Sequence, residues 1–257
     1  SDPMQLDLTG KRVLVTGGSG EIGRALCVSL AACGADVMFT FFSNHEGAEQ
    51  TAEAVRAQGR NAHIVRAHLG KEKAIDEVVE SARETLGAVD IFIHNAASGV
   101  LKPAVELSRR HWDWTHQINA RSFFFLVQGL VKDPALMGQG GRVLALSSLG
   151  AVRAIPQYGA VGTSKAALES GVRHLAAELG PLGITANVLS PGVIDTWSLK
   201  QFPNRDQLLQ IATLRTPTGR LATADDVAHT VRFLCSPGAE MINGQTINID
   251  GGYSILS

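Results

Sequence analysis

The fold is decided by residues 12–32, which read RVLVTGGSGEIGRALCVSLAA. The run Arg12–Thr16 is short and rich in branched apolar residues, which is typical of a buried strand. A glycine-rich turn follows it, and from Ile22 to Ala32 the apolar residues recur at helical spacing. A strand, a glycine turn and a helix in this order predict the first half of a βαβ unit.

The same alternation of apolar runs and amphipathic segments continues along the whole chain. Because the strands are apolar on both faces, we expect a parallel sheet with helices on both sides and right-handed crossovers. The predicted fold is therefore α/β, a Rossmann-type, doubly wound sheet of seven parallel strands. The predicted strands are Arg12–Thr16, Val37–Phe42, His63–Ala67, Val89–His94, Arg142–Ser147, Ile184–Leu189 and Thr246–Ile249. The predicted helices are Ile22–Ala32, Gly47–Gln58, Glu72–Leu86, Ser108–Leu130, Val161–Leu179 and Thr223–Cys235.

Length and composition favour one domain with a large core. The chain has 257 residues, of which 45% are hydrophobic and 18% charged, and no linker-like stretch divides it. We therefore expect residues 1–257 to form a single domain. The formal net charge is -1, which gives no global field to attract nucleic acid or an anionic membrane.

Several classes of protein are disfavoured by what the sequence carries. Its apolar runs fall short of the ~20 residues that span a bilayer, and we see no leader pattern, so we expect a cytoplasmic protein away from membranes. Cys27, Cys33 and Cys235 are an odd number without metal-ligand spacing, which predicts free thiols in a reducing compartment. The scattered histidines likewise indicate no metal site.

The loop after the first strand predicts a site for a phosphate-bearing cofactor. Ligands of such sheets bind beyond the carboxyl ends of the strands. There, glycines let the backbone approach a pyrophosphate and the helix N-terminus attracts its charge, although a tight turn without a ligand would look alike. The residues predicted to contact the cofactor here are Gly17, Ser19, Gly20, Glu21 and Ile22.

The end of the second strand bears on the choice of cofactor. An acidic residue there holds the ribose of NAD, whereas residues 40–44 carry no acidic group that would repel a 2′-phosphate. Ser43 and Asn44 have polar hydrogens to donate to that phosphate. We therefore expect NADP(H) rather than NAD(H). Arg24 is either a charge partner of the phosphate or an ordinary exposed helix residue.

A second group of residues predicts the chemistry. Ser148, Tyr158 and Lys165 lie at a strand end, in a loop and in a helix start, which brings them towards one cleft. A phenol, with an ordinary pKa of about 10, donates a hydrogen bond at neutral pH, and a nearby ammonium strengthens it as an acid. We predict Tyr158 as the donor and Lys165 as that ammonium.

These motifs resemble the short-chain dehydrogenase/reductase superfamily. Thr16, Gly17 and Gly23 match its TGxxxGxG signature, whereas Glu21 replaces the middle glycine, so that either the loop is re-shaped or Glu21 turns to solvent. Ketoreductases of the superfamily have three residues between Tyr and Lys, which would place the Tyr at Val161. The six residues between Tyr158 and Lys165 instead resemble the enoyl-acyl-carrier-protein reductases. Segments similar to the NADPH-dependent type III enzymes are HNAASGVLKP (94–103), HWDWT (111–115), RAIPQY (153–158), IDT (194–196), FPNR (202–205) and INGQTINIDGG (242–252).

This resemblance implies a reaction and roles for the residues. In a 2-enoyl thioester the hydride goes to C3 and negative charge gathers on the thioester oxygen, which Tyr158 would stabilise. Lys165 would hold the nicotinamide ribose and tune the phenol. Ser148 occupies the position of the ketoreductase serine, or is a strand-end serine facing solvent. Asn119 would order the active-site helix and a water path near the lysine, or only kink the helix.

The resemblance also extends the cofactor site beyond the glycine loop. His68 stands where the superfamily often has an adenine-contacting Asp, and it either takes that role or is a solvated loop histidine. Asn95 matches part of the NNAG element, in which His94 replaces the first Asn. Pro191 and the residues after it resemble the segment that meets the nicotinamide carboxamide. The further predicted cofactor contacts are Phe42, Ser43, His68, Leu69, Asn95, Ala96, Lys165, Pro191, Gly192, Ile194 and Thr196.

Residues 197–216, with mixed polarity and two prolines, predict a lid over the acyl chain, or else a surface excursion. The resemblance implies an acyl thioester substrate on acyl carrier protein, and a homotetramer formed through helices Ser108–Leu130 and Val161–Leu179. Two other functions stay open. One is a ketoreductase of the same fold, which would have to work without a Tyr at position 161. The other is a dinucleotide-binding sensor that has lost catalysis.

Overall fold

The structure is a computed structural model that describes residues 6–196, 199 and 204–256. Its central element is a sheet of seven parallel strands, as predicted. The strands are β1 (Arg12–Thr16), β2 (Asp36–Phe41), β3 (Ala62–Arg66), β4 (Ile91–His94), β5 (Arg142–Leu146), β6 (Thr185–Pro191) and β7 (Thr246–Ile249), and their bounds differ from the predicted ones by at most two residues. They lie in the order β3-β2-β1-β4-β5-β6-β7.

Helices cover both faces of the sheet and divide the core into two layers. The helices in the described part of the chain are α1 (Glu21–Ala32), α2 (His45–Arg56), α3 (Glu72–Leu86), α4 (Arg109–His116), α5 (Ser122–Val131), α6 (Gly159–Leu179), α7 (Arg205–Arg215) and α8 (Ala224–Leu234). One core layer lies between the sheet and α3, α5 and α6, and it contains large buried side chains such as Phe92 and Phe123. The other lies between the sheet and α1, α2 and α8, and it contains Phe39 and Leu30.

The predicted helix Ser108–Leu130 is not one regular α-helix, and this part of the prediction is wrong. A π-turn over Gln117–Arg121 separates α4 from α5. α4 buries only Thr115, so its apolar pattern is too sparse for periodicity to reveal where the π-turn lies. A π-turn accommodates a residue beyond the α-helical count, and such turns are frequent at functional sites.

The region predicted as a lid contains a helix that the sequence pattern did not predict. α7 covers Arg205–Arg215 and buries only Ala212 fully, which explains its weak periodicity. Arg205 pairs with Asp195, ahead of the helix. Trp197, Ser198 and residues 200–203, which include the first half of the FPNR segment, lie outside the described residues, so the lid stays a prediction.

The structure also bears on the excluded classes. None of the described helices combines the length and apolarity needed to cross a membrane. Within the described ranges no group of three or more His, Cys, Asp or Glu side chains could hold a metal ion. The three cysteines are free thiols, and burial raises the pKa of Cys27 above its usual range and that of Cys235 to about 12.

Candidate active site

A cleft of about 1030 Å³ opens where the strand order reverses, at the carboxyl ends of β1 and β4. Doubly wound sheets bind their ligands at this switch point. Twelve of the predicted cofactor residues line the cleft, although their contact with a cofactor stays a prediction. They are Gly17, Ser19, Gly20, Glu21, Ile22, Phe42, Ser43, His68, Leu69, Asn95, Ala96 and Thr196.

The glycine loop is packed so closely that side chains are excluded at three positions. A Cβ on Gly18 would lie 2.5 Å from the buried ring of Phe39. Gly17 has a φ of +71°, and a Cβ there would lie 2.8 Å from the backbone of Ala96. A Cβ on Gly23 would lie 2.1 Å from the carbonyl oxygen of Gly17. Gly20, by contrast, has open space around it. Close packing of α1 against the loop therefore depends on Gly17 and Gly23, and not on Gly20.

Glu21 does not re-shape the loop. Its side chain is exposed at the first position of α1, and Gly23 behind it keeps its close approach to Gly17. Of the two alternatives raised by the sequence, the solvent-facing side chain is therefore the correct one. A carboxylate at this position still lines the cleft at the end of the helix where an anion would bind.

The phosphate end of the cleft fits a dinucleotide. α1 begins at Gly20 without a side-chain cap, so its first N–H groups are left for a ligand. Asn95 Nδ2 donates to the Gly17 carbonyl at 2.8 Å, and Thr16 Oγ1 accepts from the backbone N–H groups of Asn95 and Ala96, both at 3.1 Å. The two loops are thus held together around the space that a pyrophosphate would occupy.

The adenine end of the cleft has an aromatic wall. Phe42 is about half exposed, and its ring meets the edge of His68 at a centroid distance of 4.6 Å. His68 Nδ1 accepts from the Gly70 N–H at 3.1 Å, which leaves the proton of the neutral ring on Nε2. His68 therefore offers a donor where the Asp of the resembling motif offers an acceptor.

The polar groups near β2 are arranged differently from the sequence prediction. Asn44 caps α2, accepting from Gly47 N at 3.0 Å and donating to the Ser19 carbonyl at 3.2 Å, so its predicted donation to a phosphate competes with these bonds. Arg24 is not a free surface residue, since it donates to Thr51 and to the carbonyls of Ser19 and Gly47.

A basic residue that the sequence reasoning missed lies beside this wall. The Arg66 guanidinium lies over the Phe42 ring, 5.6 Å from its centroid, and donates to the Phe42 carbonyl at 3.0 Å. Arg66 is the last residue of β3, which pairs with β2. The basic group near this end of the cleft is therefore on the strand next to β2 and not in residues 40–44.

The catalytic end of the candidate site, whose residues Ser148, Tyr158 and Lys165 are not among those that line the cleft, is organised by three consecutive residues at the end of β5. Lys165 Nζ donates to the Leu146 carbonyl at 2.7 Å, and Ser147 Oγ donates to Glu169 Oε1 at 2.8 Å. Ser148 Oγ and the Tyr158 hydroxyl lie 3.1 Å apart. The predicted residues Ser148, Tyr158 and Lys165 are thus brought to one strand end.

Tyr158 is placed by a strained turn just before α6. Gln157 has a φ of +62°, which is unfavourable for a residue with a Cβ, and its carbonyl accepts from Lys102 N at 3.1 Å. A Cβ on Gly150 would lie 2.3 Å from the Tyr158 ring, so this glycine makes room for the phenol. The sequence reasoning had missed the role of Gly150.

Position 161, where a ketoreductase would have its tyrosine, is used for packing. Val161 is buried in the first turn of α6. A Cβ added to Gly99 would come within 2.2 Å of Val161 Cγ2, so the two residues are in close contact. The only phenol that contacts Ser148 among the described residues is therefore that of Tyr158.

Lys165 is an ammonium in a poorly solvated position. Only 5% of the residue is exposed. Burial lowers the pKa of Lys165 to about 8, and the charge of Glu169 opposes this shift. Near neutral pH the side chain is mostly charged, but it is poised to lose its proton within a moderately alkaline range.

Asn119 lies buried in the π-turn and joins three elements. Its Oδ1 accepts from Ser98 N at 2.8 Å, and its Nδ2 donates to the Ser98 carbonyl at 2.8 Å and to Ser164 Oγ at 3.0 Å. These bonds fix the loop after β4 against α6, as the predicted ordering role requires. Its part in a water path to Lys165 stays a prediction.

His94 is a buried polar group to which the sequence gave no role. Thr16 Oγ1, which accepts from two backbone N–H groups, gives its own hydrogen to His94 Nδ1 at 2.9 Å, so the ring proton is on Nε2. Nε2 has no hydrogen-bond partner among the described residues, and the carbonyls of Ile118 and Asn119 are its polar neighbours. Burial, aided by the charge of Lys165, lowers the pKa of His94 to about 3.

The segment after β6 is only partly in the cleft. Thr196 lines it, whereas Pro191, Gly192 and Ile194 do not, and Ile194 packs on the core. Gly192 N donates to the Ile249 carbonyl at 2.9 Å, and a Cβ on Gly192 would lie 2.9 Å from Asp250. The described geometry gives these three residues packing contacts, and their predicted cofactor contact stays untested.

Comparisons with known proteins agree with this geometry. The family described as enoyl-(acyl carrier protein) reductase matches residues 18–254. The chain is 37% identical over 246 residues to 1-cyclohexenylcarbonyl-CoA reductase of Streptomyces collinus, covering 95% of this chain and 87% of the relative. It is 31% identical to a versicolorin reductase of Emericella nidulans, with 98% of both chains covered.

Solved structures show the same architecture. A short-chain dehydrogenase from Burkholderia cenocepacia J2315, crystallised in complex with NADP, matches with a TM-score of 0.88 and 34% identity, covering 96% of this chain and 98% of the other. A protein described as a putative short-chain alcohol dehydrogenase from Sinorhizobium meliloti 1021 matches with a TM-score of 0.91 and 31% identity, covering 98% and 99%.

Proposed function

Because the chain belongs to the short-chain dehydrogenase/reductase superfamily, a superfamily of oxidoreductases, we propose that it reduces the C2=C3 double bond of a 2-enoyl thioester with NADPH. The observation that carries the proposal is the contact between Tyr158 and Ser148, with Lys165 seven positions further along the chain and Val161 buried in between. The phenol is thereby delivered from the turn before α6 and not from its first turn.

The cofactor assignment is supported by the fit of the cleft. The switch-point position, the uncapped start of α1 and the close glycine packing suit a dinucleotide, which supplies a hydride when bound. Residues 42–45, which directly follow β2, include no acidic residue, although Glu46 in the first turn of α2 lines the cleft. The neighbour from Burkholderia cenocepacia was solved with NADP. We therefore propose NADP(H) as the cofactor in preference to NAD(H).

Tyr158 has the central role in the proposed reaction. When C3 of the enoyl group gains a hydride, the electron pair of the double bond moves towards the carbonyl and the thioester oxygen becomes an enolate oxygen. The Tyr158 hydroxyl donates a hydrogen bond to that oxygen, and this bond strengthens as the charge develops. Ser148 Oγ, 3.1 Å from the phenol, fixes its orientation. A proton added at C2 then completes the reduction.

Lys165 acts on the phenol and on the cofactor site. Its ammonium, fixed against the Leu146 carbonyl at 2.7 Å, lowers the cost of negative charge on the neighbouring phenol and enolate oxygens. We also expect it to hold the nicotinamide ribose. Its charge is available near pH 7 because the pKa of Lys165, although lowered by burial, is about 8.

The relatives support the proposal and also keep its rival in view. The Streptomyces collinus relative is named as the reductase of an unsaturated acyl-CoA. The versicolorin reductase relative has a name that does not refer to a thioester. A short-chain ketoreductase is therefore the second candidate, which the packing of Val161 at the expected tyrosine position disfavours.

The carrier, the pathway and the assembly are further proposals. We propose acyl carrier protein or coenzyme A as the carrier of the acyl group, in fatty-acid or related acyl biosynthesis in the cytoplasm. We also propose a homotetramer that uses the outer face of α5. Phe124 and Phe125 are exposed there at 38% and 44%, and Gly171 of α6 lies beside Phe124.

An activity panel tests the proposal. The protein is mixed with NADPH or NADH and either crotonyl-CoA or acetoacetyl-CoA, and the consumption of the reduced cofactor is followed by absorbance. We expect NADPH to be oxidised with crotonyl-CoA. Reduction of acetoacetyl-CoA alone would overturn the proposal in favour of a ketoreductase. NADPH binding with turnover of neither thioester would favour the sensor.

A further inference from the structure

Glu169 is a buried acidic residue that the proposed chemistry does not use. It lies in α6, only 7% exposed, one helical turn after Lys165. Residues four apart on a helix share a face, so both side chains point towards the end of β5. A carboxylate taken out of water is costly unless nearby groups compensate for it, so its presence here calls for an explanation.

The contacts of Glu169 connect it to the catalytic residues. Ser147 Oγ donates to Glu169 Oε1 at 2.8 Å, and Ser147 lies between Leu146, whose carbonyl accepts from Lys165, and Ser148, which contacts Tyr158. The end of β5 is therefore held at three consecutive positions, two of them by residues of α6 and the third by Tyr158 just before it. The bond made by Glu169 is the middle one.

The other groups around Lys165 leave Glu169 as its source of negative charge. From β5, the Leu146 carbonyl accepts its hydrogen bond. From β4, His94 faces it as a neutral imidazole, since the pKa of His94 is about 3. From the π-turn, the side chain of Asn119 is neutral, and Tyr158 carries a phenol. Among the described residues, Glu169 is the anion that acts on the charge of Lys165.

We propose that Glu169 is a positioning residue of the active site: its carboxylate, anchored by Ser147, fixes the end of β5 at which Leu146 binds Lys165 and Ser148 contacts Tyr158, and it supplies negative charge on the same helix face as the Lys165 ammonium. The proposal rests on the proposed function only in that turnover is one of its readouts. It assigns Glu169 no contact with substrate or cofactor.

The direction of the pH effect follows from the charges. Burial already lowers the pKa of Lys165 to about 8, and the carboxylate opposes that shift. Without the carboxylate the pKa of Lys165 falls further, so the ammonium is lost at a lower pH. Activity that needs the ammonium then declines at a lower pH on the alkaline side, and so does the NADPH affinity to which Lys165 contributes.

The test compares Glu169→Gln and Glu169→Asp with the wild-type protein. Glu178→Gln is the control, because Glu178 is an exposed residue of the same helix. Turnover of crotonyl-CoA and the dissociation constant of NADPH, measured by fluorescence without substrate, are each followed from neutral to alkaline pH. Circular dichroism shows that each variant is folded.

We expect Glu169→Gln to move the alkaline decline of both quantities to lower pH by about one pH unit, as removal of one nearby charge should. Glu169→Asp, which keeps the charge, should stay closer to the wild type, and Glu178→Gln should match it. A merely structural role would lower activity at every pH and leave the decline where it is. That result for Glu169→Gln would overturn the proposal.

Two further arms keep the proposal testable. If Glu169→Gln does not fold, Ser147→Ala removes only the anchor, and an unchanged alkaline decline in that variant would count against the proposal. If the wild-type protein does not reduce crotonyl-CoA, the proposed function fails, while the pH dependence of NADPH binding still tests Glu169 separately.

Discussion

The phosphate end and the catalytic end of the candidate site are built from different materials. At the phosphate end, the structure depends on backbone and on missing side chains: Gly17 and Gly23 touch each other and α1 begins with free N–H groups. At the catalytic end it depends on side chains that bond to one another, with Ser148 against Tyr158 and Lys165 against Leu146.

This difference teaches which changes each end tolerates. A backbone site accepts a new side chain wherever there is open space, which is why Glu21 can replace a glycine without disturbing the loop. A site made of side-chain bonds loses its function when one polar group is removed, even if the shape is kept. Substitutions at the two ends should therefore differ in their effects.

Tyr158→Phe should have the largest effect. It removes the donor to the enolate oxygen while keeping the ring against Gly150, so we expect kcat for crotonyl-CoA to fall about 100- to 1000-fold. The NADPH affinity of Tyr158→Phe should equal that of the wild type, whereas Lys165→Ala should lower both kcat and NADPH affinity. Steady-state kinetics and a fluorescence titration measure the two quantities. Tyr253→Phe, at the other tyrosine, is the control, and full activity of Tyr158→Phe would remove the assignment.

Gly23→Ala should have the next largest effect, and it acts at the phosphate end. Its Cβ would lie 2.1 Å from the Gly17 carbonyl oxygen, so α1 must move away from the loop. We expect NADPH affinity to fall about ten- to a hundredfold, or about 1.4–2.7 kcal/mol. Gly20→Ala is the matched control, since nothing lies within 4 Å of its Cβ position. Equal affinities of the two variants would contradict this account of the loop.

His94 should make the protein sensitive to acid. Burial lowers the pKa of His94 from 6.5, its value in the unfolded chain, to about 3 in the folded protein. The folded state therefore resists protonation, and the contribution of the neutral imidazole to the free energy of unfolding is complete above pH 6.5 and is lost as the pH falls towards 3. The free energy of unfolding should therefore be about 2 kcal/mol lower at pH 5 than at pH 7.

Urea unfolding at the two pH values measures this loss. In His94→Asn the loss should be smaller, while His229→Asn, at an exposed histidine of α8, should behave as the wild type does. His94→Gln serves if the Asn variant does not fold. A loss that is the same in all the variants would show that His94 is not the titrating group.

Glu21→Gly should have the smallest effect. The variant restores the glycine of the superfamily signature, but the side chain of Glu21 is already in solvent. Removing a screened surface charge near the phosphates should improve NADPH affinity less than about threefold at physiological ionic strength. A much larger gain would mean that Glu21 constrains the loop after all.

The sequence predicted the fold well because its signals were local and repeated. The seven strands were found because apolar runs on parallel strands are almost uninterrupted, as at Arg142–Leu146, where all five residues are buried. α7 was missed because a helix that buries one residue has little periodicity. The π-turn was missed because α4, which precedes it, buries only Thr115 and so has too few apolar residues to show a change of helical register.

The candidate site was predictable where it rests on a motif and not where it rests on tertiary contact. Tyr158, Lys165 and the glycine loop could be read from spacing. Arg66, which reaches Phe42 from the neighbouring strand, could not. In the sequence, Glu169 looks like an ordinary helix residue. Only its hydrogen bond from Ser147, which the structure shows, places it at the end of β5.

The π-turn lets the helix carry one additional residue without losing its register. Each residue of an α-helix turns the chain by about 100°, so an additional residue wound into a regular α-helix would rotate everything before it by that angle relative to α5. Trp114 would then turn away from the cleft that it now lines, and Thr115 would turn out of the interior in which it is now buried. Because the wider turn over Gln117–Arg121 absorbs the additional residue, α4 presents the same set of side chains to the ligand that a continuous helix one residue shorter would present.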